Sequence, residues 1–305
     1  MLLDRAPCRT YLIVPASSRK MIEKAATLDA DAVIFDLEDG VAPSEKEEAR
    51  RNIGELLGRL DFGDRRIGVR VNGVGTRWFL DDILALERAA VDVVTIPKTN
   101  GLDDVAAVAA ILRQFGLRGR SRPLSLHLLI ESAAGVQAVG KIAAASPLIE
   151  AVVFGAGDYS ADTGGAMTPA GLRYARSRIA VAAAAARVAA IDYVHPAIAD
   201  DEGLRMQVGE AKELGYLGKW AIHPRQLPII NQGFAPSMEE LAQAKRWLAA
   251  YEEASAAGAG AISVEGTMLD EAVIAIMRRH LAAARRVGIE LPANSGLERQ
   301  SDGNG

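Results

Sequence analysis

A chain of 305 residues, half of them hydrophobic and 24% charged, is long enough for one large globular domain with a substantial core. A formal net charge of −4, an isoelectric point near 5.7 and an aromatic content of 5% argue against a general nucleic-acid binder, which needs a basic stripe with stacking rings. The sole cysteine, Cys8, rules out an intrachain disulfide framework and a thiolate metal site, and makes a reducing compartment the natural home.

The opening residues, through Pro7, lack a basic flank followed by a long apolar core, so they do not read as a secretory signal. Apolar and β-branched runs predict strands at 10–14, 32–37, 67–71, 91–96, 126–130, 151–154, 190–194 and 219–222. Helical patterns fill most of the gaps, at 20–28, 44–57, 78–90, 103–115 and 168–189. In the second of these Glu45 and Glu47 come early and Arg50 and Arg51 later, matching the helix dipole. The Ala-rich run 179–191 is interrupted by Arg187 and is too short to span a bilayer, so the cytoplasm is the expected location. Eight strands alternating with helices predict a (β/α)8 TIM barrel. An open dinucleotide-binding sheet is disfavoured, because the first strand runs into Val14-Pro15-Ala16-Ser17-Ser18 and not into a glycine-rich phosphate turn.

Beyond the eighth strand, residues 228–236 read as a connecting loop, 238–257 as a helix, and 256–261 as a small-residue hinge leading to Asp270. A final helix ends near Val287. This is more chain than a barrel requires, and it reads as a C-terminal helical lid, an oligomerisation extension, or both. The expected division is a catalytic barrel over 1–230, the extension over 231–293, and a flexible tail over 294–305.

Active sites of such barrels collect at the C-terminal ends of the strands, so those ends carry the functional expectations. Glu131, closing Leu128-Leu129-Ile130-Glu131-Ser132, and Asp158, in Val153-Phe154-Gly155-Ala156-Gly157-Asp158-Tyr159, stand one strand–helix unit apart and converge at the mouth. Two such acids either hold a hard divalent cation, Mg²⁺ best, or cap the helices that follow. Asp36 and Glu38, two residues apart, project to one side, where they can hold metal-bound water or orient neighbouring cations. Asp39 beside them reads equally well as part of an acidic turn. Arg70 sits inside a β-branched run and needs a partner, either a substrate carboxylate or an ion pair with Asp36 or Glu38. Lys98, after Pro97, is open between a Schiff-base role and an exposed loop. His127, His195 and His223 lack the paired spacing of a histidine metal site, and His223 enters the pocket wall through its backbone.

Seven motifs follow in order between residues 9 and 286: Tyr11-Leu12-Ile13-Val14-Pro15 with Glu23-Lys24-Ala25; Asp36-Leu37-Glu38-Asp39-Gly40-Val41-Ala42-Pro43 with Lys46 and Ala49-Arg50; Val69-Arg70-Val71-Asn72; Ile130-Glu131-Ser132; Phe154-Gly155-Ala156-Gly157-Asp158; Gly218-Lys219-Trp220-Ala221-Ile222-His223-Pro224; and Gly266-Thr267-Met268-Leu269-Asp270. In this order the chain resembles the citrate lyase β-subunit-like and malyl-CoA lyase group of the HpcH/HpaI aldolase/citrate lyase family. The resemblance implies Mg²⁺ held by Glu131 and Asp158, and Arg70 on the keto-acid part of a CoA thioester. It places CoA near Lys24, Gly157 and the backbone of Ile222 and His223. It also implies a homotrimer or hexamer in which Asp270 enters a neighbouring subunit's site. The implied reaction is reversible carbon–carbon cleavage of a malyl-, citramalyl- or citryl-type thioester into acetyl-CoA or propionyl-CoA and a 2-keto acid. Hydrolysis of the thioester on the same site, and a CoA-independent class II pyruvate aldolase, are the alternatives. One departure from the family pattern is Thr267, where relatives carry a basic residue before the methionine.

Overall fold

The computed structural model describes residues 8–115, 124–286 and 288–289; the expected tail lies outside them. Its strands are β1 Thr10–Pro15, β2 Ala32–Asp36, β3 Arg66–Arg70, β4 Val93–Ile96, β5 Ser125–Ile130, β6 Ile149–Phe154, β7 Ala189–Asp192 and β8 Gly218–Ala221. They pair in parallel in chain order, and β1 pairs with β8 to close the barrel. Period-two alternation sorts the side chains. Tyr11, Ile34, Leu129, Val153, Ile191 and Trp220 fill the lumen, while Leu12, Val33, Phe35, Val94 and Val152 pack outward beneath the helices. Gly68 on β3 admits this filling, since a Cβ there would meet the Ile34 Cδ1 at 2.5 Å.

The helices are α1 Arg19–Ala25, α2 Lys46–Leu56, α3 Phe79–Ala85, α4 Leu102–Phe115, α5 Ala133–Ala143, α6 Ala156–Thr163, α7 Pro169–Ala186, α8 Asp201–Leu214, α9 Leu227–Phe234, α10 Met238–Ala256 and α11 Glu271–Arg286. Three differences from the sequence reading have clear causes. The segment read as a loop from 228 is largely α9: Pro228 falls in its first turn, where no N–H is required, and Leu227, Ile230 and Asn231 are buried. The helix expected to reach 189 stops at Ala186, because Arg187 turns left-handed (φ 58°) and donates its N–H to Ala183 and Ala184. Asp158 does not end a strand; α6 begins directly after Gly155, and Asp158 lies in its first turn.

The described residues separate into two compact units, one up to Phe234 and one from Ala235 onward. The second unit packs α10 on α11 through Trp247, Leu248, Tyr251, Ile274 and Met277. It also contains a hairpin of β9 Ile262–Val264 and β10 Thr267–Leu269 that the sequence reading did not anticipate. Its two-residue turn, Glu265-Gly266, has positive φ at both positions (52° and 77°), the twist that antiparallel strands favour. Among the described residues no helix is long and apolar enough to cross a membrane.

Candidate active site

β2 and β3 place Asp36 opposite Arg70 in register. The guanidinium donates from Nε to the Asp36 Oδ1 at 2.7 Å and from Nη2 to Oδ2 at 2.6 Å, and its Nη1 lies 3.0 Å from the Glu38 Oε2. Asp36 also accepts the backbone N–H groups of Glu38 (2.9 Å) and Gly40 (2.8 Å). Burial alone raises the Asp36 carboxyl, but the Arg70 bonds and charge and these two amides outweigh it and hold it below its ordinary value. With four bonds made, Asp36 has no oxygen to spare for metal-bound water. It serves the other expected role, orienting a cation.

Of the two alternatives raised by its sequence context, Arg70 makes the ion pair with Asp36 and Glu38. Two of its five N–H groups are hydrogen-bonded, both to Asp36, while Nη1 stands in charge contact with the Glu38 Oε2, a buried oxygen without a hydrogen bond; two N–H groups on Nη1 and one on Nη2 are left uncommitted among the described residues. Below it lies the buried ring of Trp220, 5.6 Å from the guanidinium carbon, forming the floor of the mouth. Glu38 is raised, first by burial and then by Asp39, against the lowering effects of Arg70 and Lys98.

Lys98 joins the two groups of acids. Its ammonium donates to the Glu38 Oε1 at 2.7 Å, and its backbone N–H donates to the Glu131 Oε1 at 2.5 Å. Only a left-handed backbone (φ 52°) aims both at once, a strained state for a residue with a Cβ. Burial lowers the Lys98 ammonium, but its bond to Glu38 and the charges of Glu38, Asp39 and Glu131 prevail and hold it above its ordinary value. A Schiff base needs the neutral amine, so the aldolase-type role considered for Lys98 does not suit this environment.

Glu131 is 4% exposed, and burial, reinforced by the charges of Glu38 and Asp158, pushes its carboxyl up to about 8. It does not cap α5; Ser132 does, accepting from Gly135. Gly155 makes room for it, because a Cβ at 155 would stand 2.5 Å from both the Glu131 Cβ and its Oε2. Asp158 is exposed in the first turn of α6, whose N-terminus has no side-chain cap and directs its free N–H groups, Gly157 among them, outward. Among the described residues no group of three or more His, Cys, Asp or Glu gathers to hold a metal. A buried carboxylate whose ionisation is made costlier by burial and by an exposed carboxylate beside it fits Mg²⁺, which takes one or two carboxylates and fills its remaining positions with water and substrate oxygens.

The remaining expected residues are more scattered. Lys24 is exposed in the last turn of α1. Ile222 is 39% exposed, but its N–H is already given to the Gln226 Oε1 at 3.0 Å, which leaves only its carbonyl for a ligand. The His223 Nδ1 accepts from the Arg225 N–H at 3.1 Å. Asp270 belongs to the second unit, where its Oδ1 accepts the Val273 N–H at 3.0 Å and caps α11. Sequence reasoning gave no role to Lys46, Asn72 and Asp82, a buried network behind the Asp36–Glu38 turn; Lys46 and Asn72 stood among the residues of the family motifs, and Asp82 carried no signal.

A profile of the HpcH/HpaI aldolase/citrate lyase family matches residues 9–224. The chain belongs to this family. Within it the chain is an enzyme of the citrate lyase β-subunit-like lyase group. An L-malyl-CoA/β-methylmalyl-CoA lyase of Cereibacter sphaeroides is 38% identical over 291 residues, covering 88% of this chain and 92% of the relative. A (3S)-malyl-CoA thioesterase of the same species is 37% identical, covering 92% and 96%. The solved structure of CitE from Mycobacterium tuberculosis with magnesium, acetoacetate and coenzyme A superimposes with a TM-score of 0.77 at 33% identity, over 94% of this chain and 99% of that one. A citrate lyase from Burkholderia xenovorans gives a TM-score of 0.81 at 25% identity, over 94% of each chain.

Proposed function

We propose that this family member is a Mg²⁺-dependent lyase that reversibly cleaves a malyl-, citramalyl- or citryl-type CoA thioester into acetyl-CoA or propionyl-CoA and a 2-keto acid. The observation that carries the reading is the half-tied Arg70 guanidinium, with three uncommitted N–H groups among the described residues, beside the carboxylate pair Glu131 and Asp158. The two relatives acting on malyl-CoA and the CitE complex with magnesium and coenzyme A support the substrate class.

When bound to Glu131 and Asp158, Mg²⁺ supplies a Lewis acid that lowers the pKa of a hydroxyl group and polarises the forming carbonyl. Arg70 neutralises and orients the substrate carboxylate through its uncommitted N–H groups. Asp36 and Glu38 hold Arg70, and Lys98 keeps Glu38 in place. The hydroxyl gives its proton to the carboxylate of Asp270, donated by a neighbouring subunit of a homotrimer or hexamer, and the carbon–carbon bond breaks, its electron pair passing to the thioester carbonyl as an enolate while the hydroxyl carbon becomes the keto carbon. Asp270 then hands that proton to the acetyl carbon. CoA runs along the mouth by Lys24, the Gly157 amide, the Ile222 carbonyl and the His223 backbone.

The thioesterase relative supports a second reading, in which the same groups position water for hydrolysis. Incubation with Mg²⁺ and a panel of 3-hydroxyacyl-CoA thioesters separates the two. Keto acid without free thiol is the expected result; free thiol without keto acid overturns the lyase reading in favour of hydrolysis. Cleavage that survives Asp270→Ala nearly intact would instead favour a CoA-independent aldolase.

A further inference from the structure

Behind the Arg70 clamp, on the outer side of the barrel wall, Lys46 opens α2 and is only 5% exposed. Its ammonium uses all three donors, to the Leu37 carbonyl at 2.7 Å, the Glu38 carbonyl at 2.8 Å and the Asn72 Oδ1 at 2.7 Å. Asn72, two residues beyond Arg70, donates its amide to the Leu37 carbonyl at 2.9 Å and to the Asp82 Oδ2 at 2.6 Å. Asp82 is itself fully buried, takes the Asn72 backbone N–H at 2.8 Å, and pairs with Arg50 at 3.0 Å. The turn from Asp36 to Gly40 is therefore gripped on both faces. The Asp36 carboxylate takes its N–H groups from the lumen side, and Lys46 takes its carbonyls from the helix side.

We infer that Lys46 is a positioning residue for the keto-acid clamp, acting through the main chain of Leu37 and Glu38 on the Glu38 carboxylate and thence on Arg70. Chemical necessity supports the route. Without the ammonium the buried Glu38 carbonyl keeps only the Val41 N–H at 3.0 Å and the Leu37 carbonyl only the Asn72 amide at 2.9 Å, so the turn loses both of its charge-assisted bonds. The Glu38 Oε2, buried without a hydrogen bond, stands 3.0 Å from the Arg70 Nη1 and is the only ion-pair partner of that nitrogen among the described residues. A turn free to shift releases that nitrogen, and with it the direction of its uncommitted N–H groups. This inference rests on the keto-acid role of Arg70 proposed above.

Two measurements on Lys46→Met in the full-length protein test it. In protein labelled with ¹⁵N at arginine, the Arg70 Nη1 signal is expected to shift in the variant, while Nε and Nη2, still held by Asp36, keep their wild-type positions. With Mg²⁺ present, calorimetry is expected to show glyoxylate affinity falling about tenfold while CoA affinity stays within about twofold; in a Glu38→Ala background the same substitution is expected to change glyoxylate affinity by less than about twofold. An Arg70 Nη1 signal unchanged in the variant, an equal loss in both backgrounds, or a loss shared by CoA overturns the inference. Should Lys46→Met fail to fold, Lys46→Gln, whose amide reaches one of the three acceptors, is read by the same criteria. The spectroscopic measurement needs no ligand, so a wild type that binds no keto acid refutes the keto-acid reading while the role of Lys46 is still decided.

Discussion

Mg²⁺ affinity is expected to follow the ionisation of Glu131. Its carboxyl sits at about 8 in the metal-free protein, and a cation binds only the carboxylate, so each ion bound below that pH must displace a proton. At pH 6, two units below, roughly 1% of the groups are ionised, and the apparent affinity is about 100-fold weaker than at high pH; at pH 7 it is about tenfold weaker. Calorimetric titration in buffers of different ionisation enthalpy counts the protons directly: close to one released per Mg²⁺ at pH 6 to 7, and close to none at pH 9. The stability of the metal-free protein carries the same signature with a definite sign. Because the folded value lies above the ordinary 4.5, the folded state holds the extra proton between 4.5 and about 8, so stability is greatest at the low end of that window and falls as pH rises. The 3.5-unit difference corresponds to about 5 kcal/mol at most. An affinity that is flat from pH 6 to 9 with no proton release would refute Glu131 as the buried ligand.

Three further outcomes are expected. Gly155→Ala drives a methyl group against Glu131 and weakens Mg²⁺ binding by about tenfold or more while circular dichroism stays native, since the clash falls on a side chain at the mouth and not on the barrel wall. Arg70→Lys keeps the charge but loses the paired geometry, so kcat/KM falls by about 100-fold or more and the loss appears largely in the KM for keto acid in the condensation direction. Borohydride treatment with pyruvate leaves no covalent adduct on Lys98 by mass spectrometry, whereas Lys98→Gly relieves the left-handed backbone and raises the unfolding midpoint, by about 1 kcal/mol in free energy less the lost Glu38 bond.

The barrel was legible because its signal is local. Each strand is a short apolar run and each crossover a helical period, so eight alternations leave few topologies open. Segments whose cues conflict were misread: Pro228 signals a break in most contexts, yet is harmless in the first turn of α9, and the small residues near 260 hid a hairpin whose twist is set by Glu265-Gly266. In the site, the shared side of Asp36 and Glu38 followed from strand parity, and their ion pair with Arg70 was one of two alternatives its place in a β-branched run left open. The tie between Lys98 and Glu131 followed from neither, since it depends on the backbone sign of one residue, 33 positions away along the chain. The partners of Lys46 were equally hidden, because a lysine opening an acidic helix looks solvated until the turn it reaches is known.

Closure of β1 onto β8 has one more consequence. A ring of strands has no unpaired border, so no peptide can join this protein by extending its main sheet. Among the described residues the barrel therefore offers other molecules its helices and loops, where a substitution acts on side chains that lie outside the catalytic ring.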